Sequence, residues 1–356
     1  MKASALLREV SRNTTSGTAR FAVLATLLTV VLTGLTIADA TITRQEIESA
    51  AAFRQSGGAT FILSAPGEID AAACDALGRL PNVSAAGAIR DTGKKLAIST
   101  LPDAPVPSFD TSAGFAAIIG ADVQNRAGLV ISEELAATLN VSAGDEITTR
   151  AGTTNVAGTY SYPNDGRRPG LGYAALSSTV DEAAFDECWI SAWPQITNAR
   201  AILFTALQPK QHDNEDQATV TQLNSTYGIE FRGADAFLGR VTRYALPVAV
   251  LVAFLLGFTA VRQRKLQIAS SLHAGLPRVS LIAIHALEAL VWSAPAVLLT
   301  LGIAVVIAQQ LPAEDRLAVI HGLAPIAMSA LIAPIGAAIA AAATSERNLF
   351  RYFKDR

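Results

Sequence analysis

Residues 240–280 read RVTRYALPVAVLVAFLLGFTAVRQRKLQIASSLHAGLPRVS, and the fold turns on them. From Tyr244 to Val261 the run carries no charge and is long enough to cross a bilayer as a helix. It stops at Arg262, Arg264 and Lys265. A short amphipathic segment follows, then Gly275-Leu276-Pro277, and a second apolar run opens at Val279. The pattern predicts a membrane helix, a short basic turn and a membrane helix going back. The basic residues put that turn on the inner face of the membrane, where a cytoplasmic partner can grip it.

Composition agrees. Of 356 residues, 51% are hydrophobic and only 16% are charged, against roughly 25% charged in soluble proteins. The net charge of −2 hides segregated charges and gives no reason to expect a nucleic-acid partner. Abundant Ala and scarce Lys suggest a high-GC bacterial source. Cys74 and Cys188 are the only thiols; without a CxxC or a Cys/His cluster, no metal site is expected.

Working outward, residues 1–20 hold Lys2, Arg8, Arg12 and Arg20 against one acid, Glu9. Ala3, Leu6, Leu7 and Val10 recur at helical spacing, so this cytoplasmic segment reads as an amphipathic helix on the inner leaflet or as a basic flank. Residues 21–40 form the first crossing. Ala38-Asp39-Ala40 resembles a signal-peptidase site, but the long basic flank and long apolar run argue for retention. Thr26, Thr29, Thr33 and Thr36, with Gly34, lie near one face and suit close packing on another helix. The helical pattern continues as a stalk to Gly57-Gly58.

Residues 41–240 then form a large extracytoplasmic domain. ATFILSA, EIDAAACDALGRL and NVSAAGAIR read as strand, helix and strand. NARAILFTALQ, EDQATVTQLNSTYG and IEFRG read as the same order again. Two β-α-β halves around an insertion at about 100–198 would make a split ferredoxin-like subdomain with a β-rich inserted subdomain. Inside the insertion, GLVISEELAATLN reads as strand into helix and GDEITTRAGTTNVAGTYSYP as a hairpin. The loop 165–170, DGRRPG, reads as an exposed turn. Cys74 falls in the first half and Cys188 in the insertion, both outside, where oxidation is favoured. A bridge would tie insertion to core and stabilise by roughly 4–5 kcal/mol on the chain-entropy model; two unpaired thiols are the alternative.

Residues 241–261 are the second crossing, 262–278 the cytoplasmic turn, and 279–309 the third crossing, carrying His285, Glu288 and Pro295. Residues 310–316 are a short outer loop and 317–344 the fourth crossing, with Pro325, Pro334 and a small-residue tract from Gly336. Residues 345–356 are a cytoplasmic tail. Segments 1–20, 262–278 and 345–356 each hold four Lys/Arg, a bias that orients four spans with both termini inside. The class is therefore an α+β membrane protein with four transmembrane helices and one large external α/β domain.

This layout, with one motif, resembles the MacB/FtsX-like permeases of ABC transporters, the type VII mechanotransmission class. The family's turn commonly reads R-R-x-E-I-A-x-x-R-A-L-G-A and precedes a helix containing L-x-E-A. Here Arg262, Arg264 and Lys265 precede Gln267-Ile268-Ala269, Gly275 sits at the expected distance, Arg278 supplies a later basic residue, and Leu287-Glu288-Ala289 matches the helix. Gln267 stands where the family has an acid, and His273 where a small residue is common. The resemblance implies a permease chain, paired with a second copy or a different chain. It would bind two ATPase subunits that carry ATP and Mg, with an external protein as a further partner. No G-x-x-x-x-G-K-[ST] loop occurs, so the chain is read as no enzyme by itself and as holding no cofactor.

Arg264, Lys265, Gln267, Ile268 and Leu272 are the expected ATPase contact, with Ile268 and Leu272 entering a groove on the partner. Changing both to Asp is then expected to abolish that contact and spare the external fold. Glu288 and His285, one turn apart inside the third span, suit an interhelical contact; a haem or proton site is the sharper alternative. No catalytic constellation is visible, and His212, His273, His285 and His321 are scattered. The expected work is efflux or extraction of a peptide, antibiotic, lipid or lipoprotein. Signalling to a cell-wall hydrolase, haem export, and a receptor or scaffold without an ATPase are the alternatives.

Overall fold

The computed structural model describes residues 3–16, 20–124, 127–179, 183–208 and 218–354. In chain order the elements begin with α1 (Ala3–Thr15), α2 (Phe21–Gln55), β1 (Thr60–Ile69), α3 (Ala71–Ala76) and β2 (Val83–Leu96). Next come β3 (Val106–Thr111), α4 (Phe115–Ile118), β4 (Asp122–Val123), β5 (Leu129–Ser132), α5 (Glu133–Leu139), β6 (Glu146–Thr149) and β7 (Gly152–Tyr160). Then follow β8 (Ala175–Ser178), β9 (Phe185–Ala192), α6 (Ala199–Phe204), β10 (Thr219–Gln222) and α7 (Gly233–Gly239). The chain ends in α8 (Ala245–Arg262), α9 (Lys265–His273), α10 (Arg278–Gln309), α11 (Ala313–Met328), α12 (Ala333–Ala342) and α13 (Leu349–Lys354). These elements form two units, residues 49–232 and residues 1–48 with 233–356.

In the second of these units, four helical stretches among the described residues are long and apolar enough to cross a membrane: Phe21–Gln55, Val241–Arg262, Arg278–Gln309 and Asp315–Ala342. The last is interrupted by a 3-10 turn, Ser329–Ile332, between Pro325 and Pro334. Proline removes a backbone donor and crowds the preceding turn, so the break falls where two prolines leave the helix weakest. On α2 the packing stripe is Ala25, Leu28, Leu32 and Thr36. Thr29 and Thr33 lie beside it, half-buried, whereas Thr26 and Gly34 face outward. The hydroxyl stripe expected from sequence is thus met in part: Thr36 lies in the buried face and Thr29 and Thr33 at its edge, but Leu28 and Leu32 fill its centre and Thr26 lies outside it.

Small residues bring α8 and α12 into backbone contact. A Cβ on Gly257 would run into the Ala333 carbonyl, and one on Gly336 into the Phe254 carbonyl. In lipid, where burial of apolar surface gives little between helices, such close packing holds the pair together. Gly257→Ala and Gly336→Ala are each expected to cost about 1–3 kcal/mol of overpacking, read as a lower Tm in detergent. Gly302→Ala, where nothing lies within 4 Å of the new methyl, should leave Tm unchanged.

The other unit is built on one sheet, ordered β10-β1-β9-β2-β3-β8-β5-β7-β4 with β6 on β7. The four strands β10, β1, β9 and β2 are all antiparallel. Their alternation sorts two cores. Leu63, Cys188 and Ala88 are register partners facing α3 and α6, and pack with Cys74, Leu77, Ala199 and Leu203. Ile62 and Trp189 face the other way, toward Phe115, Tyr160 and Leu223. Gly87 pairs with Trp189, and any side chain there would collide with the Phe115 backbone. The remaining strands enclose a third core of Ile98, Val106, Ile131, Leu135, Ile147 and Val156.

Several sequence expectations change here. Residues 198–208, read as a strand, contain helix α6, because Ala199 and Leu203 bury one face at i, i+4 spacing. The helix expected at 215–228 gives way to strand β10, whose β-branched Thr219, Val220 and Thr221 suit a sheet edge; residues 215–217 lie outside the described residues. No strand forms over IEFRG. The second β-α-β unit is instead β9, α6 and β10, so the insertion returns at Phe185 and not near residue 198. Cys74 and Cys188 form a disulfide, but it joins α3 to β9 within the four-stranded part rather than tying insertion to core.

Candidate functional site

The most connected polar group between the spans is Glu288 on α10, 5% exposed. Its Oε1 accepts from Asn13 Nδ2 of α1 at 2.7 Å. Its Oε2 accepts from Arg264 at 2.7 Å and lies 3.0 Å from His285 Nδ1. One carboxylate thus fastens the amphipathic N-terminal helix, the turn after the second span and the third span to each other. A buried carboxylate is tolerable only with such partners. Asn13 was not foreseeable as its partner. The available hint is a polar residue that continues the apolar stripe Leu6 and Val10 at helical spacing.

Arg264 also donates to Gln267 Oε1 at 3.0 Å and is the residue immediately before α9. Helix α9 ends in a left-handed glycine: Gly275 has φ +91°, and its N–H and that of Leu276 donate to Leu272 and Ser271. That is a glycine-closed helix end, satisfying carbonyls that would otherwise be orphaned. The turn therefore holds a fixed shape.

Ile268 and Leu272 do not offer themselves to a partner. They are 2% and 8% exposed and belong to the core between the spans. The apolar positions of this short helix face the nearest apolar surface, which is the bundle itself. The double change to Asp would disrupt that core and so would not isolate a docking contact. The outward face of α9 is Gln267, Ser270 and His273, continued by Ala274, Gly275 and Arg278, with Lys265 half-buried. Lys265 lies 5.2 Å over the ring of Tyr352, which bolts α13 beside α9 and leaves Phe350 and Phe353 exposed.

Near the other end of the first two spans, Asp39 and Arg240 pair at 3.1 Å, and Arg240 lies over the Phe237 ring. Among the threonines, Thr29 bonds back to the Ala25 carbonyl, while the hydroxyls of Thr33 and Thr36 find no partner among the described residues.

In the sheet unit, the last turn of α2 is held from several sides. Phe53 packs on Trp193 and Phe231. Arg167 donates to the carbonyls of Gln55 and Ser56, and Asn224 donates to Ser56 at 3.1 Å. A cation on the final carbonyls of a helix satisfies groups its own ladder cannot. The loop 165–170, expected to be a solvated turn, is thus in part a clamp. Tyr162, whose hydroxyl donates to the Arg168 carbonyl, is pushed up to about 12, first by burial, with Arg167 and Arg168 opposing.

A cleft of about 160 Å³ lies beside it, lined by Phe109, Tyr162, Arg168, Glu187 and Trp189. Glu187 is already satisfied by Arg168, Ser64 and Trp189, so the cleft offers a ligand little unmet bonding. Asp75 lies under α4 and accepts from Ser112 at 2.5 Å; burial raises its pKa above 3.8, with Ser112 and Gly114 pulling the other way. A carboxyl raised on folding stabilises fully below its unfolded pKa, and that stability is lost as pH rises through the folded value. Asp75→Asn, which escapes the loss, should unfold no earlier than wild type at pH 7. Any advantage should vanish below about pH 4. A pH series of melting curves checks this.

Among the described residues no three His, Cys, Asp or Glu side chains converge as a metal site, and His212 lies outside those residues. No protein-family model and no curated protein matches the chain. Among solved structures, the chain is similar to the periplasmic region of MacB from Actinobacillus actinomycetemcomitans. The TM-score is 0.34 at 8% identity, over 48% of this chain and 91% of that one. It is also similar to a domain assigned to a permease protein from Porphyromonas gingivalis. There the TM-score is 0.31 at 9% identity, over 52% of this chain and 99% of that one. At those scores the likeness is too loose to bear on mechanism.

Proposed function

We propose that the chain is the permease subunit of an ABC transporter of the MacB/FtsX-like class. It sits in a bacterial cell membrane with both termini inside and residues 49–232 outside. The four strands β10, β1, β9 and β2 with α3 and α6 are its split ferredoxin-like subdomain, and the strands between β2 and β9 are the inserted one. A partner ATPase, in two copies, carries ATP and Mg and docks on the outward face of α9. Motion of α9 reaches the spans through Arg264 and Glu288 and leaves the membrane along α2. The substrate is a peptide, antibiotic, lipid or lipoprotein handled at the outer surface.

The observation that carries this reading is the wiring of the turn after the second span. A short helix with a rigid glycine end is fastened by one buried carboxylate to two other membrane elements, while its polar face stays exposed. A turn that only connected two spans would need none of this. Mild-detergent purification of the tagged chain, with co-purifying proteins identified by mass spectrometry, tests it. A near-stoichiometric ATP-binding-cassette ATPase is the expected result. Its absence even after crosslinking would leave a receptor or scaffold as the better reading.

A further inference from the structure

A groove of about 350 Å³ opens where α2, α8 and α10 meet. Its walls change character along their length. Arg20, Gln263 and Arg264 stand at the polar end with His285 and Glu288; Val23, Leu24, Leu27, Leu256 and Trp292 line the apolar end. Val23 and Leu27 are 58% and 49% exposed on a helix long and apolar enough to cross a bilayer, so this end faces acyl chains. The shape is that of an amphiphile with its head at the interface.

The charges say which amphiphile. Glu288 is matched by Arg264 at 2.7 Å, with Asn13 and His285 on its remaining lone pairs. Arg20 has no such match. Its guanidinium donates to neutral Gln263 Oε1 at 2.8 Å and, among the described residues, meets no carboxylate. The groove therefore keeps one net positive charge at its polar end, and the Gln263 amide nitrogen remains a donor there.

A second observation points the same way. Trp292 lines the groove and is 2% exposed as a whole, and its indole N–H makes no hydrogen bond to a described residue and is not sealed off from the groove. It lies four residues beyond Glu288 on α10, about 6 Å further into the apolar end at the helical rise. An indole N–H that opens on a groove is a donor a ligand oxygen can take.

We infer that this groove binds one anionic glycerophospholipid of the inner leaflet. Its phosphate sits on Arg20 and Gln263, a glycerol ester oxygen accepts from Trp292, and one acyl chain runs along Leu24, Leu27 and Leu256. Basic pockets between membrane helices hold anionic headgroups for this reason. The occupant would touch both α2 and α8 beside Glu288, so the lipid would brace the same junction that the proposed coupling uses. The inference rests on the membrane orientation proposed above, but not on an ATPase.

The test uses the full chain, delipidated in detergent, with melting followed as lipid is added. Phosphatidylglycerol should raise Tm saturably, at an apparent affinity at least tenfold above that of phosphatidylcholine. Arg20→Gln should erase this preference and Arg20→Lys should keep most of it; Leu27→Trp, which fills the apolar end, should weaken both lipids. Inorganic phosphate and glycerophosphoglycerol, which lack chains, should do nothing; a full shift from either would make this an ordinary anion site and overturn the lipid. In case Arg20→Gln fails to fold, a photoreactive phosphatidylglycerol on wild type should label residues 23–27 or 256–260. Equal response to the two lipids, or labelling elsewhere, overturns the proposal. So does efficient crosslinking between copies through Val23→Cys, which would make the groove an interface. Protease access to the C-terminal tail in vesicles checks the orientation separately.

Discussion

Glu288→Ala should be among the most damaging single changes in the membrane-spanning unit. It removes the buried acceptor of the half-buried Arg264 guanidinium and leaves Asn13 without its bond. Breaking a buried pair from one side costs about 3–5 kcal/mol, mostly because the remaining charge cannot reach water. The expected readout is a sharply lower Tm in detergent, with faster tryptic cleavage after Arg12 as α1 comes loose. Glu288→Gln keeps the shape and an acceptor for Asn13, so it should fall between. Replacing Arg264 and Glu288 together with Met should recover much of the loss, because no charge is then stranded. If Glu288→Ala melts like wild type and α1 stays protected, the carboxylate is not what fastens these three elements.

That prediction depends on a contact spanning 275 residues, which shows where sequence stops being informative. Uncharged runs and clustered Arg and Lys are strong local signals. The four apolar helices could therefore be read directly; the break in the last one could not, since Pro325 and Pro334 flank it while Pro295 leaves α10 unbroken. The burial of Ile268 and Leu272 could not, because an amphipathic helix announces an apolar face without saying which apolar surface it meets. The same limit applied to residues 198–208, a short apolar run whose pattern suits a strand or a helix until its neighbours are known. Arg167 looked like a loop charge; only the fold brings it to the end of α2. Glu288 itself stood out, since an acid in an apolar helix must be paired. Its partner on α1 could not be named from spacing.

Loss of the disulfide should unfold the sheet unit far more easily. Cys74 and Cys188 lie 114 residues apart and are both fully buried. On the chain-entropy model a loop of that length is worth about 4–5 kcal/mol, a large part of a domain's net stability. Both sulfurs sit in one layer, between α3 and β9, yet the loop they close contains the whole inserted part. Its closure thus restricts the unfolded chain well beyond the residues the bridge touches. Cys74→Ala with Cys188→Ala should move the urea midpoint of this unit strongly downward. Trp189 and Trp193 fluorescence reports it, with Trp292→Phe removing the signal of the other unit. Reductant should leave native wild type unaffected, because neither sulfur is accessible, and should act once denaturant opens the fold. An unchanged midpoint in the double variant would mean that the packing of α3 on Leu63, Ala88 and Ile190 holds this layer without help.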